Sequence, residues 1–435
     1  MLFSNNSTSK SKIMKLNGTL KALALTGFAF AAFQSNAQVF NTDIQYMRPV
    51  GKEGLNVYET SKETNVKYEG LKVRVGGDFA LQFQGLDNSN EYGTLVELSP
   101  NFTLPTANLN LDVQLYDGVR MHLRTYLSSR HHTEAYVKGG YIQIDKLDFI
   151  QEGFLSGLMD ITTIKIGMND INYGDAHFRR SDNASTMYNP FVGNYLMDAF
   201  TTEPYAELTF QKSNFLLVAG ATNGRLNQSP TPGDDGFVAY GKLGYDNQVS
   251  EDIRWRLTGS IYNSTNQGTR DYLYGGDRAG GRYYHVMDDT AGNGTDFEPR
   301  FNPGFAYQTA FQVNPFVKWK GLEFFGIYEM TMGRQGSATT DGQYTQLAGE
   351  LLYRIGQAEK FYLGGRYNTV FGEAFEDAGE TTINRFNVGG GWFMTNNIMA
   401  KIEYVYQNYD GDPYIGSRFE NGEFSGVMFE AAISF

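Results

Sequence analysis

Basic side chains recur at every second position in several segments of this sequence. The segment 119–127 (VRMHLRTYL) places Arg120 and Arg124 between apolar residues, and the segment 253–257 (IRWRL) repeats the pattern. Alternate side chains of a β-strand share one face, so these cations should line one face of a sheet. Cations around a confined aqueous space raise the local concentration of anions. The predicted lining residues are Arg120, Arg124, Lys165, Arg254, Arg256, Arg354, Arg366 and Arg385.

Few other residues suggest chemistry. Cysteine is absent, and phosphate-loop and dinucleotide-binding motifs are missing. His122 with Ser128 or Ser129 could form a hydrolytic pair, but no catalytic motif surrounds them. The oxygen-rich segment 288–298 (DDTAGNGTDFE) could hold Ca²⁺, yet it lacks the spacing of an EF-hand. We therefore expect no enzymatic activity, no cofactor and no bound metal.

The elements that position the basic residues are strands. From Leu71 onward, apolar and polar residues alternate, and Asp117-Gly118 marks a tight hairpin turn. This periodicity predicts sixteen strands, near residues 71–84, 108–116, 119–127, 134–144, 163–168, 200–211, 215–223, 237–245, 253–263, 307–319, 322–330, 344–355, 361–370, 382–394, 398–409 and 424–435.

The N-terminus has the features of a secretory signal peptide. Four lysines precede or enter an apolar segment, 22–33 (ALALTGFAFAAF), and the small residues 35–37 (SNA) form a cleavage site. We assign residues 1–37 to the signal peptide, 38–70 to a polar periplasmic extension without alternation, and 71–435 to the strands. The net charge of −12 argues against nucleic acid as a partner.

The predicted sheet has one apolar face and no helices to cover it. Such a face must be buried, and in lipid a sheet must also close so that no edge remains unpaired. Short connections alternate with long ones along the chain, which is typical of outer-membrane barrels with short periplasmic turns and long extracellular loops. The connection 145–162 is an exception, because it is long and partly apolar where a short turn is expected; it either contains a short helix or indicates a miscounted hairpin. The predicted fold is therefore an all-β, antiparallel up-and-down transmembrane barrel.

The last strand resembles the terminal targeting strand of bacterial outer-membrane barrels, since alternate residues of 424–435 (FSGVMFEAAISF) are apolar and the chain ends in Phe435. The segments 135–144 (AYVKGGYIQI) and 164–174 (IKIGMNDINYG), followed by an acidic and basic loop, resemble the third-loop region of sixteen-stranded bacterial porins, closest to the phosphate-selective branch. In that family the loop folds inward and narrows the channel opposite a wall of arginines. The resemblance implies Arg120 and Arg124 as wall residues. The implied constriction-loop residues are Asp170, Asp175, Arg179, Arg180 and Asp182.

These features predict a porin-like channel of the bacterial outer membrane. It would allow passive diffusion of small hydrophilic solutes or ions, with a mild preference for anions, and its charged lining is expected to be solvated. An alternative is a non-conducting barrel that serves as a partner or scaffold in an envelope assembly. Basic lining residues argue against a transporter of hydrophobic substrates. Expected partners are outer-membrane lipid, lipopolysaccharide and the barrel-assembly machinery, and a homotrimer is a candidate assembly.

The terminal strand yields a first prediction. If the assembly machinery recognises Phe435, the substitution Phe435→Asp should lower the amount of protein in the outer membrane while secretion into the periplasm continues. Immunoblots of fractionated envelopes would measure both quantities. Normal outer-membrane levels of the variant would contradict this role of the terminal residue.

Overall fold

The computed structural model describes residues 42–127, 135–180, 185–224, 238–265, 273–275, 283–294, 299–336 and 338–435. The predicted signal peptide, residues 1–37, lies outside the described residues, as does the predicted loop residue Asp182.

Sixteen antiparallel strands form one closed barrel, which confirms the predicted fold. Each strand pairs with its neighbours in sequence, and the first pairs with the last. The strands are β1 (Lys72–Ser89), β2 (Asn101–Tyr116), β3 (Val119–Tyr126), β4 (Tyr136–Ile144), β5 (Thr162–Asp170), β6 (Thr202–Lys212), β7 (Phe215–Thr222), β8 (Val238–Ser250), β9 (Ile253–Ser264), β10 (Tyr307–Trp319), β11 (Leu322–Arg334), β12 (Gly342–Ile355), β13 (Phe361–Glu373), β14 (Thr381–Phe393), β15 (Ile398–Gly411) and β16 (Glu423–Ser434).

The chain terminus completes the barrel seam. Strand β16 pairs with β1 from Asp78 opposite Ser434 to Ser89 opposite Glu423. One step further, the backbone groups of Gly77 and Phe435 exchange two hydrogen bonds, of 3.1 and 3.0 Å. A Cβ atom at Gly77 would lie 2.8 Å from the Phe435 ring, so glycine lets the terminal aromatic residue pack against β1.

The exceptional connection between β4 and β5 contains a short helix, α1 (Ser156–Met159). The length of this connection is therefore explained by a short helix and not by a miscounted hairpin, and the number of strands is sixteen. Within the described parts of the chain, no helix has the length and apolar character needed to cross a membrane.

The barrel is apolar outside and polar inside. Along β9, the outward residues Trp255, Leu257 and Ile261 are exposed, whereas the alternating residues Arg256 and Thr258 are buried. This arrangement is inverted relative to a soluble protein, and it holds around the barrel, where the outward residues Leu243 and Leu363 are 65% and 62% exposed. A continuous exposed apolar belt is favourable only against lipid, so the barrel spans a membrane.

Three segments fill much of the lumen. They are the N-terminal segment (residues 42–66), the connection between β5 and β6 (residues 171–201), and described parts of the β9–β10 connection, such as 283–287. Apolar residues of the last two segments, including Leu196 and Val286, pack with inward residues of the strands in one buried cluster. The lumen is therefore a packed interior with limited free space.

The inverted barrel leads to a stability prediction. Leu347 lies midway along β12 and is 42% exposed on the lipid side. The substitution Leu347→Arg should lower the free energy of unfolding by about 2–4 kcal/mol, because an arginine at the middle of the bilayer loses its hydration. Denaturant titration in phospholipid vesicles measures this change. The matched control Ile415→Arg lies in the exposed β15–β16 connection and should have little effect; equal losses in the two variants would contradict the lipid-facing assignment.

Candidate functional site

The connection 171–201, here called the inward loop, is bound to the far wall of the barrel through its backbone. The amide of Gly174 donates to Ser260 Oγ at 3.0 Å, and that of Asp175 donates to Asn314 Oδ1 at 2.9 Å. Farther along, the amides of Val192, Leu196 and Met197 donate to side chains of β15, β13 and β12. The loop thus enters the lumen in the region where the sequence predicts a constriction loop, 169–199.

The charged residues of the inward loop pair with wall residues or within the loop. Asp175 is fully buried and accepts hydrogen bonds from Arg256 and Lys242, each at 2.9 Å. Arg179 lies 3.0 Å from Glu350, and Arg180 lies 2.7 Å from Asp198. Asp170, the last residue of β5, lies 2.8 Å from Nδ1 of His177. Most of these charges therefore fix the loop in place.

Several predicted lining residues are buried in similar pairs. Arg354 donates to Glu323 at 2.8 Å, and Arg366 donates to Glu350 at 2.7 Å. Arg385 donates to the backbone oxygen of Asn194 at 2.7 Å, and Arg254 forms a more exposed pair with Asp246. The sequence predicts solvated charges here, whereas most of these side chains are buried. The inward loop displaces the water, and ions in a packed interior require partners.

The N-terminal segment spans the mouth at the rim that carries the short turns and the C-terminus. Glu59 lies 2.8 Å from Arg256 and 3.2 Å from Lys242, so it shares both cations with Asp175. Lys62 lies 2.8 Å from Asp145 at the end of β4. Through such contacts the segment joins opposite sides of the barrel wall.

These surroundings lower the pKa of both acidic residues in the shared cluster. Burial tends to raise the pKa of Asp175 and Glu59, but Arg256 and Lys242 outweigh it and hold both pKa values below the ordinary range. The two carboxylates are therefore charged at neutral pH, and each balances one of the two cations.

A cavity of about 170 Å³ remains between the N-terminal segment, the inward loop and the β1–β5 side of the wall. Its lining includes the predicted residues Arg120, Arg124 and Lys165, together with Arg48 and Arg74. It also includes Glu59, Asp78, Asp112 and Asp170. The cavity brings together three of the eight predicted lining residues; the other five lie elsewhere in the lumen wall.

Two arginines of this cavity are weakly paired. Arg74 Nη1 and Arg120 Nη1 lie 3.9 and 3.8 Å from the carboxylate of Asp112, beyond hydrogen-bond distance. Arg120 also donates to Gln143 at 2.7 Å and to the Tyr141 hydroxyl at 3.2 Å, but its Nε atom and Arg74 Nη1 are buried without a hydrogen-bond partner among the described residues. Polar hydrogens with this arrangement can bind water or a passing anion.

Sequence reasoning did not select Arg48, Glu59 or Arg74 as site residues. Arg74 was detectable, because it alternates with Val73 and Val75 in the first predicted strand. Arg48 and Glu59 lie in a segment without periodicity, and their positions depend on contacts with residues far along the chain, such as Phe178 and Arg256. No local pattern identifies such residues.

The sequence matches no known family model and no curated protein. Solved structures are similar in fold. OmpT of Vibrio cholerae, in a trimer form, has 12% identity and a TM-score of 0.51, covering 84% of this chain and 100% of that one. An anion-selective porin from Comamonas acidovorans has 8% identity and a TM-score of 0.51 with the same coverage. Salmonella typhi OmpF, in complex with daunomycin, has 11% identity and a TM-score of 0.50, covering 85% and 99%.

At these identities the likeness establishes the fold. The chain is a closed sixteen-stranded barrel of the outer-membrane porin type, in agreement with its apolar exterior. This confirms the predicted class and its bacterial outer-membrane location.

The buried cluster around Asp175 gives a testable stability effect. The substitution Asp175→Asn should lower the free energy of unfolding by about 3–5 kcal/mol, because it removes a charge from buried Arg256 and Lys242. Because the folded-state pKa of Asp175 is lowered, its contribution is fully present above the ordinary aspartate pKa of about 3.9 and is lost as pH falls through the lower folded value.

The difference between wild type and variant should therefore be constant from neutral pH down to the ordinary aspartate range and should shrink in stronger acid. Denaturant titrations at several pH values measure it. Asp377→Asn is the matched control, since Asp377 is exposed and has a positive φ of 64° that asparagine also adopts. A loss no greater than that of the control would contradict the buried cluster.

Proposed function

We propose that this protein is a narrow outer-membrane channel for the passive diffusion of small hydrophilic solutes or ions. The observation that carries this proposal is the charged cavity that remains inside the filled lumen, with Arg74 and Arg120 turned toward it. A polar space inside a closed barrel suits solutes that bilayers exclude. The inward loop and the N-terminal segment restrict passage to small solutes.

A mild preference for anions follows from the cavity charges. Four carboxylates of the lining face five basic residues, namely Arg48, Arg74, Arg120, Arg124 and Lys165. Arg74 and Arg120 share one of these carboxylates, that of Asp112, at distances of 3.9 and 3.8 Å. In a confined space this imbalance favours anions, most strongly at low ionic strength where charges are least screened. The description of a porin of the same fold as anion-selective supports this assignment.

His122 belongs to the wall of the cavity. Its Nδ1 atom lies 2.8 Å from Asp112, and its ring packs against Tyr141 in the cavity wall. Ser128 and Ser129, the nucleophiles considered from the sequence, lie outside the described residues. We accordingly assign His122 to the lining of the path, without a cofactor.

We further propose that the barrel works in lipid and lipopolysaccharide after insertion by the barrel-assembly machinery, and that a homotrimer is its assembly. A solved trimer form of Vibrio cholerae OmpT, which shares this fold, supports the trimer. Native mass spectrometry of the detergent-solubilised protein would determine the number of chains.

The selectivity proposal is tested by reversal potentials in planar bilayers under a salt gradient. Wild type should show stepwise conductance with a mild anion preference, and Arg120→Gln combined with Arg124→Gln should shift the reversal potential toward cations. Arg334→Gln is the control, because Arg334 pairs with Asp341 at the rim of the long loops, away from the cavity.

A cation-selective wild type, or a double variant with an unchanged reversal potential, would contradict the assignment of Arg120 and Arg124 and would favour the acidic residues of the inward loop. A correctly folded barrel without conductance would support the non-conducting scaffold instead.

A further inference from the structure

The N-terminal segment occupies the mouth of the barrel in a way that differs from the inward loop. The inward loop is joined to strands at both ends, β5 and β6. The N-terminal segment is followed by β1, but no described strand precedes it. Residues 67–71 connect the segment to β1, and because Lys67, Glu69 and Leu71 are exposed, the segment can leave the lumen by turning about this connection. We call residues 42–66 the N-terminal plug.

The plug is held in the barrel by polar contacts and by the buried Tyr58, whose ring packs edge-on against Phe178 and Phe316. It contains no strand, and its regular structure is one turn of 3₁₀ helix, Gly51–Gly54. Gln45 exchanges hydrogen bonds with Gln114 of β2, at 2.8 and 3.0 Å. Across the mouth, Asn56 donates to Glu323 of β11 at 2.8 Å. Because water competes for such groups, these anchors cost less to break than an apolar interface of similar extent.

Glu59 forms the most buried ion pairs of the plug. Its carboxylate contacts Arg256 at 2.8 Å and Lys242 at 3.2 Å, and its side chain is 6% exposed. Both cations also contact Asp175 of the inward loop, and Arg256 lies 3.3 Å from Asp246. Departure of Glu59 would hydrate its own charge and leave Arg256 and Lys242 with carboxylate partners. The cluster therefore helps to hold the plug in place, and its two cations remain paired when the plug leaves.

The plug also forms one side of the cavity. Arg48, Tyr58 and Glu59 line it opposite Arg74, Arg120 and Lys165 of the wall. Arg48 is fixed there by donating to the backbone oxygens of Phe178 and Gly54, each at 2.8 Å, and it lies over the Tyr188 ring. Withdrawal of the plug would remove this side and join the cavity to the space at the mouth.

We propose that the N-terminal plug is a gate of this channel and that the contact of Glu59 with Arg256 and Lys242 keeps the gate closed. With the plug seated, the path is limited to the small cavity; with the plug withdrawn, the cavity joins the space at the mouth. The gating part of this inference rests on the proposed channel function, whereas movement of the plug does not.

The first test measures plug movement without ionic current. In detergent-solubilised full-length protein, trypsin should cleave after Lys52 slowly while the plug is seated. Glu59→Gln should increase the rate of this cleavage on the order of tenfold, because one charged partner of a buried ion pair is lost. Mass spectrometry identifies the cleaved peptides, and heat-modifiable migration in gels shows that the barrel has folded.

Glu63→Gln is the matched control. Glu63 belongs to the same segment and undergoes the same chemical change, but it is exposed and its carboxylate forms no ion pair among the described residues. It should leave the cleavage rate unchanged. Equal rates for Glu59→Gln and Glu63→Gln would overturn the proposed anchor.

The second test locks the plug and measures conductance. The chain has no cysteine, so Gln45→Cys with Gln114→Cys introduces a single reactive pair, which a short reducible bifunctional thiol reagent can bridge. Combined with Glu59→Gln, the bridge should abolish both the faster cleavage and the expected larger conductance steps, and reduction should restore them.

The outcomes separate the two proposals. Faster cleavage of Glu59→Gln together with larger conductance steps, both reversed by the bridge, supports the gate. Faster cleavage with conductance equal to wild type would overturn the gate while leaving the channel. Faster cleavage of a folded barrel that never conducts would overturn the channel function and the gating, leaving a mobile plug. Larger steps that persist in the bridged protein would also overturn the gate.

Discussion

The interior of this barrel depends on the buried ionic cluster in which Asp175, Glu59, Arg256 and Lys242 meet. Each charge in the cluster has lost most of its contact with water, so each requires a partner of opposite charge. Asp175 belongs to the inward loop, Glu59 to the N-terminal plug, and the two cations to β9 and β8. One set of charge interactions therefore holds both the inward loop and the plug against the wall.

The cluster is a consequence of the inverted barrel. Lipid requires an apolar exterior, and alternation along each strand then directs the polar residues inward. When loop segments fill that interior, the polar residues become buried and must pair. Arg354 and Arg366 illustrate the result, because both are almost completely buried and each has a glutamate partner on a neighbouring strand. The filled lumen combines such charge pairs and hydrogen bonds with a buried apolar cluster that includes Leu196 and Val286.

Two of the ion pairs that border the cavity are longer than those of the cluster. Near β1–β5, Arg74 and Arg120 share Asp112 at long distances, and the cavity lies beside them. Charges elsewhere in the lumen stabilise the structure, whereas charges here can interact with a solute. The plug and the inward loop both border this cavity, so the same ionic cluster that stabilises the interior also determines the width of the candidate path.

The sequence by itself determined the barrel, its closure and the face on which each strand residue lies, because the alternation of apolar and polar residues is a local property of each strand. Arg120, Arg124 and Lys165, which the alternation predicts to face inward, border the cavity. Only the tertiary structure decided which inward charges are paired. The partners are distant in sequence, as with Arg256 and Glu59, which are 197 residues apart, or Asn56 and Glu323, which are 267 apart. Segments without periodicity fill the lumen, and their positions follow from the shape and charge of the completed wall, which no local pattern encodes.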